Sequence, residues 1–301
     1  MIVFFRKLVI FIVVFVLLAG GMVAYYVRDM RKINFHGMGG RHILVIGDSH
    51  TECAIDDDIF TRSVNISKSA TAYVFSFALL RKWKADNPEL DTVLLSFQSS
   101  SLSDKQQTVW MYDESTIAPR LPYVFPYFNG WDYWNYKFSA PFYKTAIQYP
   151  LTVNEFHKGD TLENRYAWMN EHIGSARALP YNKLKEDVAA TKAVSKNDAP
   201  DELSHISINY IRRIAAYCKR KKITLILINT PVYRWNRFVN NEQFEANRKK
   251  YFSDIKYLDY KDFPIADSCR ADIWHLNGEG QKQFSEYLQK NFSDDLKKQN
   301  P

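Results

Sequence analysis

The sequence predicts an α/β fold: a doubly wound parallel sheet of about five strands, with an aromatic-rich insertion after the third strand and an apolar helix at the amino terminus. Short runs of leucine and β-branched residues without polar alternation indicate strands that are covered on both faces. Helical stretches alternate with these runs, as in a three-layer sandwich. With 301 residues, of which 46% are hydrophobic, the chain is long enough to bury a full core.

The first element is an uncharged apolar run from Leu8 to Val27, long enough as a helix to cross the hydrocarbon core of a bilayer. Basic residues flank both ends, so counting them does not fix the orientation of the helix. A cleaved signal peptide is the alternative, but the run exceeds a usual signal-peptide core and ends in a poor cleavage site. We therefore expect residues 1–32 to be an uncleaved, single-pass membrane anchor and residues 33–301 to form the α/β domain.

Between the anchor and the first strand, residues 33–41 are rich in glycine and are predicted to form a short linker. Each predicted strand is a short, nearly continuous apolar run, and the fifth run is the weakest. Because such strands need cover on both faces, the runs favour a parallel sheet. The predicted strands are residues 42–46, 63–66, 92–97, 223–228 and 255–258.

Three helical stretches are predicted between and after these strands. In the second of them, Tyr210, Ile214 and Tyr217 recur at helical spacing, which gives an apolar face to lie on the sheet. Ligand sites in such sheets lie outside the carboxyl ends of the strands, so the residues that follow each strand are the first candidates for a site. The predicted helices are residues 72–87, 202–222 and 278–292.

Residues 100–200 interrupt the alternation of strands and helices and are predicted to form an insertion, a cap on the domain. Its first half is dense in aromatic residues. Such a cluster is either a wall that stacks sugars or binds acyl chains, or the insertion's own small core, and the sequence leaves both open. Trp110, Trp131 and Trp134 are the candidates for substrate contact within it.

The first predicted strand ends in Gly47-Asp48-Ser49-His50, which places a serine at a strand-to-helix turn. Glycine permits a tight turn there, and backbone amides at the start of the following helix can stabilise negative charge on a bound oxygen. The adjacent His50 is either a substrate contact or an ordinary polar residue at a helix start. The turn therefore predicts Ser49 as a nucleophile.

Near the other end of the chain, Asp272 and His275 are separated by two residues just before the last predicted helix. A serine hydroxyl is inert alone, because it needs an imidazole to accept its proton and a further acceptor to fix the tautomer of that imidazole. Within a single turn, an aspartate three residues ahead of a histidine can meet the imidazole. Trp274, which lies between them, is a further candidate for substrate contact.

Gly47-Asp48-Ser49 and Asp272-x-x-His275 together resemble the first and last sequence blocks of the SGNH, or GDSL-like, hydrolase superfamily. The strand pattern between them agrees, and the resemblance covers residues 42–292 apart from the insertion. It implies a catalytic triad with Ser49 as nucleophile, His275 as general base and Asp272 as its orienting partner.

In the middle blocks the chain departs from the family pattern, which has a glycine after the second strand and an asparagine after the third, both donating to the oxyanion. The second block here contains Ser69 and Ala70, and a backbone N–H of either is the expected replacement. The third block has no asparagine, which leaves the side chain of Gln98 or Ser100. With the amide of Ser49, these are the candidate oxyanion donors, and losing one donor costs on the order of 3 kcal/mol of transition-state stabilisation.

The blocks Gly47-Asp48-Ser49-His50 and Asp272-x-x-His275-Leu276-Asn277 are also similar to the SGNH domains joined to membrane acyltransferases that O-acetylate surface polysaccharides. This resemblance implies an acylated carbohydrate as substrate, a membrane acyl-donor protein as partner, and a domain that faces the periplasm or the cell exterior. The same triad serves hydrolysis and transfer, because the acyl-enzyme can pass its acyl group to water or to a sugar hydroxyl. The sequence does not choose between these acceptors.

The rest of the sequence gives no indication of a metal or a cofactor, and we expect no nucleic acid as partner. The chain has no nucleotide or flavin motif, its histidines lack metal-ligand spacing, and its net charge of +7 is dispersed. Cys53 and Cys269 flank the predicted catalytic segments, so they either form one disulfide or remain two small buried thiols. The leading hypothesis is a membrane-anchored serine esterase or O-acyltransferase. The alternative is a non-catalytic member that binds polysaccharide or acts in envelope assembly.

Overall fold

The computed structural model describes residues 2–35, 38–152, 172–193, 202–233 and 241–298, so the predicted linker and insertion are described in part. A five-stranded sheet lies at the centre, in the order β2-β1-β3-β4-β5, and every neighbouring pair of strands is parallel. The predicted fold class and strands are confirmed, to within about one residue at each strand end. The strands are β1 (Ile43–Ile46), β2 (Ser63–Asn65), β3 (Thr92–Ser96), β4 (Thr224–Asn229) and β5 (Lys256–Asp259).

Helices cover the sheet and build the described parts of the insertion. They are α1 (Ile2–Met30), α2 (Ser49–Ala54), α3 (Tyr73–Asp86), α4 (Asp104–Tyr112), α5 (Glu114–Ile117), α6 (Leu121–Val124), α7 (Gly130–Asn135), α8 (Ala140–Thr152), α9 (Leu184–Ala193), α10 (His205–Arg220), α11 (Asn241–Phe252) and α12 (Gly278–Lys298). Short 3-10 turns are Ser99–Leu102, Phe125–Tyr127 and Asp267–Cys269. The three helices predicted between and after the strands correspond to α3, α10 and α12, and α12 continues past its predicted end.

The sheet separates two hydrophobic cores, because alternate residues of a strand point to opposite faces. On one face, Ile43 and Val45 of β1 pack with residues of α2 and α12. On the other face, Leu44 and Ile46 pack with residues of α3 and α10. Helices on both faces are what a doubly wound parallel sheet requires.

The segment before β1 is packed against the domain, which corrects the prediction of a linker over residues 33–41. Phe35 and Met38 are fully buried. The Phe35 amide donates to Asp86 Oδ2 at 2.7 Å, and its ring meets that of Trp83 edge-on at 5.8 Å. The Phe35 ring covers Trp83 of α3, and Phe35 and Met38 are both held in the hydrophobic core.

The last turns of α1 dock onto the insertion. The Tyr26 hydroxyl donates to Pro122 O at 2.8 Å, and the Tyr127 hydroxyl donates to Met30 O at 2.9 Å. Tyr26 and Met30 are buried, whereas residues 2–18 of the helix are exposed throughout. Within the described ranges, α1 is the helix that is long and apolar enough to cross a membrane, by length and composition.

The aromatic half of the insertion forms a core of its own against α1 and α3. Phe128 stacks on Tyr136 and Phe142, with ring centroids 5.8 and 6.3 Å apart. Phe125 stacks on Tyr26 of α1 at 5.8 Å. Of the two functions that the sequence leaves open for these rings, the structure favours an internal core.

One buried carboxylate ties the insertion to both helices on this face of the sheet. Asp132 of α7 accepts from Arg81 Nη2 of α3 at 2.6 Å and from the Tyr210 hydroxyl of α10 at 3.1 Å. Its side chain is fully buried, and a capping box with Asn129 holds the first turn of α7. Because a buried charge is stable only with its partners, Asp132 fixes the position of the insertion.

Replacing Asp132 with alanine is expected to lower the free energy of unfolding by about 3 kcal/mol or more, because Arg81 then lacks its partner. The matched control, Asp254→Ala, removes an exposed pair with Arg212 and is expected to cost less than about 1 kcal/mol. Urea-induced unfolding of the full-length chain in detergent, followed by far-ultraviolet circular dichroism, measures both. Equal losses in the two variants would contradict the role of Asp132.

Candidate active site

Ser49 lies at the turn between β1 and α2, at the carboxyl edge of the sheet. The turn brings Gly47 against β3, where a Cβ on this glycine would lie 2.2 Å from Ser96 Cβ. The φ of Gly47 is 153°, which other residues rarely adopt. Ser49 itself is partly exposed, so a close-packed turn presents this residue to solvent.

Asp48, which precedes Ser49, fastens the turn to the end of β3. Its carboxylate accepts from the His50 amide at 3.0 Å, from Ser96 Oγ at 2.8 Å and from Gln98 Nε2 at 2.8 Å. Asp48 is buried, and hydrogen bonds to an ionised acceptor are stronger than those between neutral groups. These bonds fix the position of Ser49 relative to β3.

The loop before α12 brings Asp272 and His275 to Ser49. His275 Nε2 lies 2.8 Å from Ser49 Oγ, and His275 Nδ1 lies 2.9 Å from Asp272 Oδ2. Asp272 Oδ1 also accepts the backbone amides of Trp274 and His275, at 2.7 and 2.8 Å. Because a carboxylate only accepts, the proton of the neutral imidazole lies on Nδ1, and Nε2 accepts from the Ser49 hydroxyl.

The electrostatics of the Asp272 and His275 pair suit proton transfer. Burial acts to raise the pKa of Asp272, but hydrogen bonds from the His275 side chain and from the amides of Trp274 and His275 outweigh it and lower that pKa. The carboxylate therefore stays ionised near neutral pH and can stabilise an imidazolium at His275. Linked in this way, the three side chains can activate Ser49 as a nucleophile for acyl transfer.

The loop after β2 places Ala70 in the left-handed backbone conformation, with φ of 54°. Glycine adopts this conformation without strain, whereas for alanine it costs about 1–2 kcal/mol. The guanidinium of Arg120 holds both sides of Ala70, since Nη2 donates to Ser69 O and Nη1 donates to Thr71 Oγ1 at 2.6 Å. Burial lowers the pKa of Arg120 to about 10, so it keeps its charge at neutral pH.

Arg120 comes from the insertion, and its role cannot be assigned from the sequence alone. The one indication in the sequence is that Arg120 is the only charged residue between Glu114 and Asp132. In the structure it is buried and acts on the loop in which the sequence predicts a backbone oxyanion donor. Of the two candidates in that loop, Ala70 has the backbone conformation that a glycine would supply.

A second contact with this loop comes from a later segment of the insertion. Gly174 lies directly on the loop, since a Cβ there would lie 2.4 Å from Ile66 O. Arg177 Nη2 donates to Ser69 Oγ at 3.1 Å, and Arg177 Nε lies 3.5 Å from Glu52 Oε1. The Ser69 hydroxyl donates in turn to Glu52, a buried carboxylate of α2. Charges from α2 and from the insertion therefore hold the loop after β2.

The two side-chain candidates of the third block are engaged with each other. Gln98 Nε2 donates to Asp48 Oδ2 at 2.8 Å and to Ser100 Oγ at 3.3 Å. Since an amide nitrogen has two protons, both are used. The structure therefore places Gln98 as a partner of Asp48 rather than as a free oxyanion donor. The Ser100 hydroxyl accepts from Gln98 and keeps its own proton, so Ser100 stays a candidate donor of the third block. The amides of Ser49 and Ala70 remain the leading candidate donors.

Among the candidates for substrate contact, His50 and Trp274 lie beside the triad. Their rings meet edge-on at 6.2 Å, and His50 lies 5.3 Å from the ring of His275. Trp274 is 41% exposed, whereas His50 is buried, and burial lowers the pKa of His50 to about 4. His50 is therefore neutral, and its Nδ1 has no hydrogen-bond partner among the described residues.

The three tryptophans of the insertion lie away from the triad, so their predicted contact with substrate stays a prediction. Trp110 packs against the insertion's core, Arg213 lies over the ring of Trp131, and Lys137 lies over the ring of Trp134. In the part of the chain that the structure describes, no ring or cation contact joins these tryptophans to the triad. The reason is that the aromatic half of the insertion packs on α1 and α3.

Cys53 and Cys269 are free thiols, and both are buried. Cys53 clusters with Leu179 and Ala271, and burial raises its pKa to about 12. Of the two states that the sequence leaves open for this pair, the structure favours buried thiols. Across the described ranges, no group of three or more His, Cys, Asp or Glu side chains could hold a metal ion.

Comparison with known proteins finds similarity in structure. No family model matches the chain, and no curated protein matches it. A Bacteroides fragilis protein named as a candidate acylhydrolase is 11% identical with a TM-score of 0.38, over 90% of this chain and 95% of that one. A GDSL-like lipase from Bacteroides thetaiotaomicron is 13% identical with a TM-score of 0.37, over 92% and 97%. A Streptococcus pneumoniae protein named as a candidate platelet activating factor is 13% identical with a TM-score of 0.40, over 96% and 99%. At these identities and scores, the chemistry of the site has to be inferred from its own geometry.

Replacing Arg120 with methionine is expected to slow the reaction of Ser49 with an organophosphonate that captures activated serines. The reason is that the loop around Ala70 loses the side chain that holds it. The expected loss is roughly tenfold or more in rate, which corresponds to about 1.4 kcal/mol. The rate of labelling of the full-length chain measures it, and Arg212→Met, on an exposed face of α10, is the control for loss of a charge.

Placing a glycine at position 70 distinguishes the effect of backbone strain at that residue from a general disruption of the site. Glycine takes the left-handed conformation without a clamp, so Ala70→Gly is expected to restore most of the labelling rate in the Arg120→Met background. An unchanged rate in Arg120→Met alone, or a double variant as slow as the single one, would contradict the role given to Arg120.

Proposed function

We propose that the chain is a membrane-anchored serine esterase or O-acyltransferase of the SGNH kind, acting on an acylated cell-surface carbohydrate through an acyl-Ser49 intermediate. The observation that supports it is the chain of hydrogen bonds from Ser49 Oγ to His275, at 2.8 Å, and from His275 to Asp272, at 2.9 Å. These hydrogen bonds lie at the carboxyl edge of a parallel sheet, where such sheets bind ligands. Ser49 is partly exposed, so an ester can reach it.

The first half-reaction transfers the acyl group to the protein. His275 Nε2 accepts the proton as Ser49 Oγ attacks the ester carbonyl, and Asp272 stabilises the resulting imidazolium. The tetrahedral intermediate carries a negative oxygen, for which the amides of Ser49 and Ala70 are the candidate donors. His275 then gives its proton to the departing alcohol, and the acyl group remains on Ser49.

The second half-reaction decides between an esterase and an acyltransferase. His275 takes a proton from water or from a sugar hydroxyl as that oxygen attacks the carbonyl of acyl-Ser49. The bond between Ser49 Oγ and the acyl carbon then breaks, His275 returns the proton to Ser49 Oγ, and the acyl group leaves as the free acid or on the sugar. Trp274, exposed beside the triad, offers a face on which a sugar ring can stack. A membrane-bound acyl donor would supply the acyl group in the transfer reaction.

The proposed location follows from the substrate class and from α1. An acylated surface carbohydrate is reached from outside the cytoplasm, so we place the α/β domain in the periplasm or at the cell exterior. The exposed apolar length of α1 supports a single-pass anchor.

A non-catalytic function has one observation in its favour. Gln98 is bound to Asp48, so the third block supplies no free amide to an oxyanion. An unreplaced donor would make a slow or inactive site, since one donor is worth on the order of 3 kcal/mol. The alternative is then a protein that binds polysaccharide during envelope assembly, with the exposed rings of Trp131 and Trp134 as its contact surface.

With p-nitrophenyl acetate, the full-length chain in detergent is expected to release nitrophenol in a burst followed by slower turnover, because this activated ester acylates Ser49 faster than the acyl-enzyme is deacylated. Ser49→Ala is expected to lower the rate by roughly a thousandfold or more and to abolish the burst. Ser115→Ala, at an exposed position on α5, is the control and keeps the burst. Turnover that rises with added oligosaccharide indicates transfer, and turnover indifferent to it indicates hydrolysis. The absence of a Ser49-dependent burst would favour the binding function.

The acid limb of the pH–rate profile is expected to be independent of His50. Burial lowers the pKa of His50 to about 4, so this ring gains a proton only below that pH and is neutral in the usual working range. His50→Asn should therefore leave the midpoint of the acid limb within about half a pH unit of the parent, while His275→Asn removes the general base and with it the activity. A midpoint that moves by about one unit or more in His50→Asn would contradict a neutral His50.

A further inference from the structure

The depth of α1 in a bilayer is fixed by charges at both of its ends. Arg6 and Lys7 precede the apolar run, and Arg28 follows it. From Leu8 to Val27 the run is about 30 Å long as a helix, which is the thickness of the hydrocarbon core. The run therefore fills the core, and its last residue lies at the boundary between hydrocarbon and headgroups on the side of the α/β domain.

The end of this run is already covered by protein. Val23 and Val27 pack against the hydrophobic core of the domain. Tyr26 is 3% exposed, and its ring lies 5.8 Å from that of Phe125 and 6.0 Å from that of Tyr149. Residues of the insertion therefore reach the depth at which the run meets the headgroups.

Sliding α1 along its axis does not remove this overlap at low energy. Withdrawing residues 23–27 from the hydrocarbon would move the helix by about 7.5 Å, since five residues each contribute a rise of about 1.5 Å. That shift draws Arg6 and Lys7 towards the hydrocarbon, where a basic side chain costs up to about 3 kcal/mol at the centre and less near the edge. The charges at the start of the helix thus oppose lifting the domain off the membrane.

α8 runs back towards the membrane along the last turns of α1. Near its start, Phe142 stacks on Phe128, whose carbonyl accepts from Arg31 just after α1. Near its end, Tyr149 meets Tyr26, which is about one and a half turns nearer the bilayer. The carboxyl-terminal half of α8 therefore lies at the depth of the membrane boundary.

The exposed face of α8 carries residue types that are found at the boundary between hydrocarbon and headgroups. Tyr143 and Ile147 lie one turn apart on the same face and are 44% and 42% exposed. On α1, Tyr25 is exposed beside the buried Tyr26. Tyrosine is enriched where hydrocarbon meets the headgroups, because its ring is apolar and its hydroxyl remains hydrated.

We propose that the carboxyl-terminal half of α8 is embedded in the interfacial layer of the bilayer beside α1, so that the α/β domain lies against the membrane surface. The inference rests on the membrane anchoring by α1 in the proposed function. We expect lipid to cover the exposed face of α8, because Tyr149 of this helix packs on Tyr26, at the depth where the apolar run of α1 meets the headgroups. The described residues that follow α1 support the proposal, since Ile33, Phe35 and Met38 are buried against the domain.

The test uses single cysteines in the full-length chain, reconstituted in nanodiscs of phosphatidylcholine and phosphatidylglycerol. The native cysteines, Cys53, Cys218 and Cys269, are buried, so an added exposed cysteine is labelled selectively with a fluorophore. Ile147→Cys probes α8, and two matched exposed positions serve as controls: Phe15→Cys within α1 and Glu286→Cys on α12, across the sheet. Lipids with a nitroxide near the headgroup or deep in the acyl chain quench nearby fluorophores.

The label at position 147 is expected to be quenched several-fold more by the shallow nitroxide than the label at position 286, while the label at position 15 is quenched by the deep nitroxide. Equal quenching at positions 147 and 286, with position 15 still quenched, would overturn the docking of α8 and leave the anchor standing. That result is also the one expected if a protein partner, absent from the nanodisc, occupies the face. No quenching at position 15 would overturn the anchor and the docking together.

Discussion

The hydrogen bond between Ser49 and His275 joins residues 226 positions apart in the sequence, and its 2.8 Å length constrains the whole domain. The turn after β1 and the loop before α12 must meet at one edge of the sheet. A parallel sheet provides that meeting, because the carboxyl ends of its strands lie together. Asp48 fixes the first segment to β3, and Asp272 fixes the imidazole within the second. Misplacement by about 1 Å would weaken the activation of the nucleophile.

The insertion supports this site through charge and packing, while its tryptophans lie elsewhere. Arg120 holds the strained loop around Ala70, and Arg177 reaches the same loop beside Glu52. The insertion also packs buried aromatic rings against one side of the last turns of α1. One packed unit therefore connects the apolar helix, the loop with the candidate oxyanion donors and the sheet. In the described residues, the candidate site and the end of the apolar helix α1 are therefore connected through the same packed part of the insertion.

Local patterns are sufficient to predict the strands and the three side chains that the structure joins by hydrogen bonds, Ser49, His275 and Asp272. Apolar runs mark the strands, and the Gly-Asp-Ser and Asp-x-x-His blocks depend on residues close together in the chain. The roles of Arg120, Gln98 and Phe35 cannot be predicted in this way. Each depends on a partner about fifty positions away, Ser69 O, Asp48 and Asp86 respectively. Composition is misleading for Phe35, since its glycine-rich surroundings predict a linker while its burial depends on α3.

The central claim is that Ser49 forms a covalent acyl-enzyme. The most direct test is to mix the full-length chain with p-nitrophenyl acetate, quench rapidly in acid, and locate any acetyl group by proteolysis and mass spectrometry. We expect one acetyl group, on Ser49, formed rapidly in the parent chain and far more slowly in His275→Asn. An unmodified Ser49, or acetylation of surface lysines alone and to the same extent in both chains, would contradict the claim.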